Sequence, residues 1–161
     1  MDQSDGCTLC KEGKSELEYI SAKLQNETSR PVILQHFPLY RESEMECFSH
    51  DGDGPTTSEG LHELFRQGYD CLSEKSSDWI IRKLSPMQVF SGHTHNGCNF
   101  VYKELVHEIT VPSFSWRNRN NPSFILAKIS EDRVYVHKCF LPEESTVINI
   151  YIFSVLLSLI L

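Results

Sequence analysis

The stretch that decides the fold is residues 89–98, which read V-F-S-G-H-T-H-N-G-C. A short apolar run over residues 87–90 predicts a buried strand, and the Ser-Gly pair that follows marks a turn at its end. His93 and His95 come next, and on extended backbone alternate side chains share one face. Both imidazoles are therefore expected to reach one point at the end of a strand, where Gly92 lets the backbone approach a ligand closely.

The chemistry of this pair favours a metal. A neutral imidazole is the commonest metal ligand in proteins, and two metal ions ~3.5–4 Å apart can each take one histidine. The alternative is a polar loop with two solvated histidines, and a bare H-x-H motif favours that reading. The strand before the motif and the glycines on both sides of it, Gly92 and Gly97, favour the interpretation that both histidines are metal ligands.

A second stretch, residues 31–38, ends in another histidine. Residues 32–34, V-I-L, predict a buried strand, and His36 leaves its end before Pro38 turns the chain away. In open α/β sheets, functional groups gather at the carboxyl ends of strands. Alone, His36 is equally well explained as a structural histidine, but beside the G-H-T-H motif it becomes a predicted third metal ligand.

The long polar segment 41–68 predicts an irregular insert that forms a rim or lid over a site. Cys47 and Cys71 flank much of it, so a disulfide between them would pin it. Residues 51–54, D-G-D-G, are similar to a calcium loop but lack the terminal glutamate at EF-hand spacing, so calcium is not predicted. The histidines of this region are expected to be solvated: His50 and His62.

Hydrophobic periodicity gives the remaining elements. Helices are predicted over residues 15–25 and 73–84, the second capped by Ser73 or Ser76. The residues of these helices predicted to point inward are Leu17, Ile20, Leu24, Ile80, Ile81 and Leu84. Antiparallel strands are predicted over residues 100–102, 107–111, 124–129 and 134–139. His107 and His137 fall within these strands and are expected to be face residues rather than ligands.

A loop over residues 112–124 joins the predicted strands 107–111 and 124–129. It reads P-S-F-S-W-R-N-R-N-N-P-S-F. Arg117 and Arg119 offer guanidinium forks that bind phosphate oxygens in pairs, and the face of Trp116 can stack on a sugar ring. An exposed turn with two solvated arginines is the alternative. The residues themselves do not choose between these two interpretations.

Composition narrows the partners and the compartment. A net charge of −7 argues against nucleic acid as a partner. Cys7 and Cys10 have the spacing of a zinc knuckle, a redox pair or separate disulfides. Since no second C-x-x-C exists, a disulfide or free thiols are favoured over structural zinc. Asn26 opens an N-glycosylation sequon, which together with six cysteines favours a lumenal or extracellular setting.

The two ends of the chain differ. Residues 1–6 are polar and do not resemble a signal peptide. Residues 147–161 are almost wholly apolar, and as a helix they rise ~22 Å, short of the ~30 Å hydrocarbon core of a bilayer. We interpret them as a truncated transmembrane helix that follows a domain over residues 1–142, rather than as a core helix.

Four strings of residues, in this order, carry a resemblance to a known family. They are L-Q-H-F-P-L-Y-R at 34–41, S-G-H-T-H at 91–95, V-P-S-F-S-W-R-N-R-N-N-P-S-F at 111–124 and K-C-F-L-P at 138–142. Together they closely resemble the calcineurin-like metallophosphoesterases that remodel GPI anchors. The resemblance covers nearly the whole chain, and the W-R-N-R-N-N-P-S-F string is its most specific part.

The resemblance implies an αββα sandwich with two divalent metal ions, typically Mn²⁺, at the strand ends. His36 and His93 would bind one ion and His95 the other. Such enzymes remove ethanolamine phosphate from the second mannose of GPI glycans, which aids transport of GPI-anchored proteins from the endoplasmic reticulum to the Golgi. The catalytic domain would be lumenal and membrane-anchored, at endoplasmic reticulum exit sites, the intermediate compartment or the cis-Golgi.

The sequence also departs from the family. In the family, D-x-H, G-D-x-x-D and G-N-H-D/E motifs supply a bridging aspartate, an asparagine ligand and the general-acid histidine. None of these motifs is present in this sequence. We therefore expect the chain to form the C-terminal half of the α/β sandwich, followed by part of a transmembrane helix. We also expect the chain to be inactive by itself. The alternative is a non-catalytic truncated isoform that binds GPI-anchored cargo or the full-length enzyme.

Overall fold

A computed structural model describes residues 8–48 and 51–160. Cys7 and His50 lie outside these residues. Four helices, six strands and one short 3-10 helix over Glu44–Glu46 are found in the described part. The helices are α1 (Thr8–Leu24), α2 (Ser58–His62), α3 (Glu74–Leu84) and α4 (Glu144–Ile160). The strands are β1 (Val32–Leu34), β2 (Gln88–Ser91), β3 (Cys98–Tyr102), β4 (Val106–Thr110), β5 (Ser123–Ile129) and β6 (Val134–Phe140).

The larger sheet has the strand order β1-β2-β4-β3 and is mixed. Strands β1 and β2 are parallel, with Leu34 opposite Phe90, and β2 is also parallel to β4. Strands β3 and β4 form an antiparallel hairpin, as predicted. Because parallel strands end at the same edge of a sheet, the segments after β1 and β2 leave side by side. Mixed α/β architecture is confirmed.

The core lies between α3 and this sheet. Its buried side chains come from the loop after β1, from α3 and from β2 to β4: Leu39, Ile81, Val89, Cys98, Phe100, Tyr102 and Val106. Ser73 caps α3, since its side chain accepts a hydrogen bond from the Ser76 backbone. Ile81 and Leu84 are buried as predicted, whereas Ile80 is only half-buried.

The prediction that β1 is a buried strand is wrong. It is the edge of its sheet, and Leu34 is 78% exposed. An apolar run of three residues does not reveal whether a strand has one neighbour or two. Helix α1 begins earlier than predicted and buries no residue fully, with Leu17 and Leu24 half-buried and Ile20 exposed.

The disulfide that Cys47 and Cys71 could form is absent from the described residues. Cys47 is bonded to Cys98, at the start of β3, and Cys71 is a buried free thiol. The 3-10 helix brings Cys47 against β3, where the backbone N–H of Phe48 donates to the Asn99 carbonyl at 2.6 Å. Flanking an insert does not by itself bring two cysteines together. Cys10, of the C-x-x-C motif, is disulfide-bonded.

The last two strands form a separate two-stranded antiparallel sheet, β5-β6, as predicted. His137 on β6 and His107 on β4 are exposed on strand faces, and His62 is exposed at the end of α2, again as predicted. The apolar C-terminal segment is helical as α4, and its residues from Ile148 onward are exposed. Within the described residues, no helix combines the length and apolarity that crossing a membrane requires.

Candidate metal site

Two of the three predicted ligands meet at the ends of β1 and β2. His93 Nδ1 lies 3.1 Å from His36 Nε2, and the two rings are edge to face. The backbone explains the approach, because the Gly92 N–H donates to the His36 carbonyl at 3.0 Å. The ring of Phe37 packs against that of His93, with 4.3 Å between centroids. The parallel pairing of two short strands thus brings together imidazoles 57 residues apart.

The G-H-T-H segment was predicted to have extended backbone, but its backbone is not extended. His93 has φ 70° and His95 has φ 62°, both in the left-handed region that residues with a Cβ rarely adopt. Strand β2 ends at Ser91, and the chain then coils through residues 92–97 before β3 begins. Such strain gathers at functional sites, where the surrounding structure holds it in place.

The surroundings of His93 favour the neutral form of its imidazole. Burial lowers the pKa of the His93 imidazole, and the neighbouring His36 ring lowers it further. A hydrogen bond with the Tyr69 backbone and the charge of Asp70 act in the opposite direction. A neutral imidazole is the form that coordinates metals, and a ligand histidine commonly gives its other N–H to a carbonyl or carboxylate.

His95, the third predicted ligand, is exposed. Among the described residues, no set of three ligand atoms within 4.8 Å includes the ring nitrogens of His36, His93 and His95. The backbone of His95 is nevertheless fixed, since its carbonyl accepts from the Ser113 N–H at 3.2 Å and from Arg119 Nη1 at 3.5 Å. The three histidines therefore do not form one compact set of ligands, and their role as ligands stays a prediction.

Arg119 holds this loop rather than facing solvent. Its side chain is 8% exposed and donates to four acceptors on three segments. Nη1 reaches the side-chain oxygen of Asn96 at 2.5 Å as well as the His95 carbonyl. Nη2 reaches the Gly54 carbonyl at 3.1 Å, and both Nε and Nη2 lie near Asn121 Oδ1. With its donors so engaged, Arg119 fits the role of a positioning residue better than that of a phosphate ligand.

Gly97 is required by the close approach of the Asp53 side chain. A Cβ on Gly97 would lie 2.1 Å from Asp53 Oδ1, whereas one on Gly92 would meet only the His36 carbonyl, at 3.8 Å. Asp53 is fully buried, and its carbonyl accepts the Gly97 N–H at 2.8 Å. Lys138 of β6 pairs with the Asp53 carboxylate at 2.7 Å. The polar insert thus packs against the histidine loop from the side.

Arg117, Trp116 and Asn26 are all exposed. The Trp116 indole N–H donates to the Pro142 carbonyl at 3.0 Å, which fixes one edge of the ring, and 37% of the residue remains accessible. Arg117 has an open guanidinium, unlike Arg119. Asn26 lies in the turn after α1. Phosphate binding by Arg117, sugar stacking by Trp116 and glycosylation of Asn26 stay predictions.

A buried charged cluster that the sequence analysis missed supports the His36 loop. Glu108 on β4 accepts the Leu39 backbone N–H at 2.9 Å and pairs with Arg41 at 3.5 Å. Arg41 also pairs with Glu44 at 3.3 Å and contacts the Thr110 hydroxyl. A signal was available: in V-H-E-I-T, Glu108 shares the inward face with Val106 and Thr110.

One further group of ligand-type residues lies together: Glu44, Cys47 and Cys98. Their atoms are close because the two cysteines form the disulfide, with Glu44 Oε2 2.9 Å from Cys47 Sγ. A disulfide sulfur is not a thiolate, and the thiolate is the form of cysteine that binds metal. This group is therefore a structural link between the 3-10 helix and β3.

Comparisons with known proteins identify relatives by sequence. No family model and no solved structure matches the chain. Metallophosphoesterase 1 from Xenopus laevis is 40% identical over 168 residues, covering 92% of this chain and 41% of that protein. The proteins of the same name from Gallus gallus and Danio rerio are each 39% identical, covering 92% and 95% of this chain. The chain is thus similar in sequence to the proteins named Metallophosphoesterase 1 and spans about two fifths of their length.

Proposed function

We propose that this chain contributes metal-binding histidines to a site that hydrolyses phosphate esters. The observation that carries the proposal is the contact of His36 Nε2 with His93 Nδ1 at 3.1 Å, at the ends of two parallel strands. Two nitrogens at this separation can coordinate a single ion. The lowered pKa of His93 and its hydrogen bond with the Tyr69 backbone suit a ligand imidazole.

The residues present fit part of a two-metal centre. His36 and His93 would hold one ion and His95 the other. When bound, the pair of ions polarises phosphoryl oxygens and lowers the pKa of a bound water. The protein's own part is to hold the imidazoles in place, and to favour the neutral form of His93, whose pKa is lowered. Glu108 and Arg41 fix the loop that carries His36, and Arg119 fixes the loop that carries His95.

The substrate is proposed to be a phosphodiester on a GPI glycan, from whose second mannose ethanolamine phosphate is removed. The support is the homology to Metallophosphoesterase 1 together with an exposed Arg117 beside an edge-anchored Trp116. The guanidinium would bind phosphate oxygens and the indole would stack on a sugar. GPI-anchored proteins would be the substrates, in the lumen of the early secretory pathway at a membrane. The exposed apolar α4 and the Asn26 sequon suit that setting.

The test compares histidine variants of the protein expressed from its complete transcript. His36→Ala and His93→Ala should each lower hydrolysis of a model phosphodiester by more than about 100-fold. Mutation of a residue that only hydrogen-bonds a metal ligand already lowers metal affinity or activity by about 10–100-fold. His107→Ala, an exposed histidine on β4, is the matched control and should have full activity. Equal activity of all three variants would contradict the proposal. Cargo binding by a protein with no turnover would support the non-catalytic alternative.

A further inference from the structure

Three ligand-type side chains meet between the 3-10 helix and β3. Ligand atoms of Glu44, Cys47 and Cys98 all lie within 4.8 Å of one another. The two sulfurs are close because they form the disulfide, but the disulfide does not account for Glu44. Its position follows from the 3-10 turn, in which side chains three residues apart eclipse and the Cys47 N–H donates to the Glu44 carbonyl at 3.1 Å. The sequence E-M-E-C therefore sets a carboxylate beside the sulfurs.

One oxygen of the Glu44 carboxylate faces a group that cannot donate a hydrogen bond. The residue is 1% exposed, and Oε1 accepts a hydrogen bond from Arg41 Nη2 at 3.3 Å. Oε2 faces Cys47 Sγ at 2.9 Å, and a disulfide sulfur has no hydrogen to donate. A buried carboxylate oxygen turned towards such a group costs free energy. A thiol S–H or a metal ion at that position removes the cost, so this contact favours the reduced form of the two cysteines.

The donor set suits a thiophilic divalent cation. After reduction, two thiolates and the Glu44 carboxylate share the site, and Arg41 is divided between Glu44 and Glu108 at 3.3 and 3.5 Å. At least two negative charges are then left for a bound ion to neutralise. Thiolate sulfur and carboxylate oxygen are both zinc ligands, and three protein ligands leave the fourth tetrahedral position to water. Neighbouring ligand atoms around zinc lie about 3.6–3.8 Å apart, given Zn–S and Zn–O bonds of about 2.3 and 2.1 Å, so Oε2 needs to move by less than about 1 Å.

We propose that Glu44, Cys47 and Cys98 form a zinc site when the disulfide is reduced by a dithiol. A thiolate of the dithiol attacks the sulfur of Cys47, the more accessible cysteine, and the S–S bond breaks with Cys98 leaving as a thiolate. The second thiolate of the dithiol then displaces Cys47 and closes a ring disulfide. Two electrons have passed to the protein, and the two protons of the dithiol are released as Zn²⁺ binds both protein thiolates. Zinc thus replaces the covalent bond as the link between the 3-10 helix and β3.

The experiment titrates Co²⁺, as a probe for zinc, into the full 161-residue chain. The parent chain for the titration carries Cys7→Ser, Cys10→Ser and Cys139→Ser, so that its thiols are the two of the site and the buried Cys71. It is reduced with a dithiol, and the excess dithiol is removed under nitrogen. Thiolate coordination of Co²⁺ gives a charge-transfer band in the near ultraviolet that imidazole coordination lacks, so the His36–His93 pair adds nothing to the signal. We expect the band at one Co²⁺ per reduced chain, its loss on addition of Zn²⁺, and no band in the oxidised chain.

Single substitutions in this parent chain test each ligand. Glu44→Gln should weaken Co²⁺ binding by at least about tenfold, since loss even of a residue that only supports a metal ligand costs about 10–100-fold. Glu42→Gln, at an exposed glutamate of the same segment, is the matched control and should bind as the parent chain does. Cys47→Ser and Cys98→Ser, which keep the Glu44–Arg41 pair, should each abolish the band. These two variants decide the matter if Glu44→Gln does not fold.

A second measurement covers loss of structure on reduction. Zinc should raise the free energy of unfolding of the reduced chain more than that of the oxidised chain, or refold a chain that reduction has unfolded, as followed by circular dichroism. Absence of the band, or equal Co²⁺ binding by Glu44→Gln and Glu42→Gln, overturns the three-ligand site. So does equal stabilisation of the reduced and oxidised chains by zinc. The His36–His93 pair takes no part in this site, so any of these results leaves the proposed function standing.

Discussion

Arg119 is a residue whose surroundings the sequence did not reveal. The W-R-N-R string leaves two interpretations open for both arginines, phosphate ligands or solvated side chains of an exposed turn, because the chemistry of a guanidinium does not reveal which groups it faces. Burial separates the two: Arg117 is exposed, and Arg119 is 8% exposed with acceptors on three segments. Sequence patterns predict which residues carry suitable chemistry, but only the packing of Gly54, Asn96 and Asn121 around Arg119 reveals which acceptors its guanidinium binds.

At this scale we predict that Arg119→Lys lowers the free energy of unfolding by about 2–3 kcal/mol. An ammonium cannot replace the planar fork, so the partly buried acceptors on residues 54, 95 and 121 lose their donors. Urea denaturation measures the change. Arg117→Lys, two residues away and exposed, should stay within about 0.5 kcal/mol of the unmodified chain. Equal effects of the two substitutions would contradict the positioning role.

Acidification tests a second residue, Asp78 on α3. The hydroxyl of Tyr102 at 2.6 Å and then the ammonium of Lys103 at 2.9 Å hold the pKa of the Asp78 carboxyl below its ordinary value, against the effect of burial. Because the folded-state pKa lies below the unfolded value of about 3.9, this stabilisation is present above that pH and is lost as the pH falls through the folded-state pKa. Denaturation at pH 6 and at pH 2.5 should show a larger loss in the unmodified chain than in Asp78→Asn. Parallel losses would contradict this assignment.

Among the elements, the 3-10 helix and β3 are joined by the Cys47–Cys98 disulfide, which closes a loop of 51 residues. Its removal in the Cys47→Ser, Cys98→Ser double variant should cost about 4 kcal/mol of unfolding free energy in the loop-entropy account. Chemical denaturation measures this cost. Cys139→Ser, at a free half-buried cysteine, is the control and should change little. A double variant as stable as the unmodified chain would show that the link is not a constraint on the unfolded state.

The elements also show what sequence periodicity predicts well. Helix α3 with its Ser73 cap, the β3–β4 hairpin and the β5–β6 pair follow from local patterns of apolar and turn residues. The Cys47–Cys98 link, the edge position of β1 and the Arg41–Glu108 pair depend on contacts across 51 to 67 residues. No local period encodes such contacts, so they were missed or predicted wrongly.

Across the whole molecule, apolar surface remains exposed at the β1 edge and along α4. Leu34 is 78% exposed, and the residues from Ile148 to Ile160 are all exposed as well. Exposed edge strands pair with other chains unless a charge interrupts them. We predict that the isolated chain associates at micromolar concentration and that Leu34→Lys reduces the association, as measured by light scattering. Unchanged scattering by Leu34→Lys, compared with a Leu126→Lys control on β5, would contradict the role of this edge.

The central claim, that His36 and His93 form one metal site, is tested most directly by metal titration of the isolated chain. Two imidazoles bind zinc or copper better than manganese, which prefers oxygen ligands. We predict one weakly bound Zn²⁺ per chain after dialysis and no retained pair of Mn²⁺ ions, as measured by calorimetry and elemental analysis. His36→Ala and His93→Ala should each weaken zinc binding at least about tenfold, the equivalent of ~1.4 kcal/mol, and His107→Ala should not. Zinc binding that is indifferent to both substitutions, or about two Mn²⁺ per chain with turnover of a phosphodiester, would contradict the account.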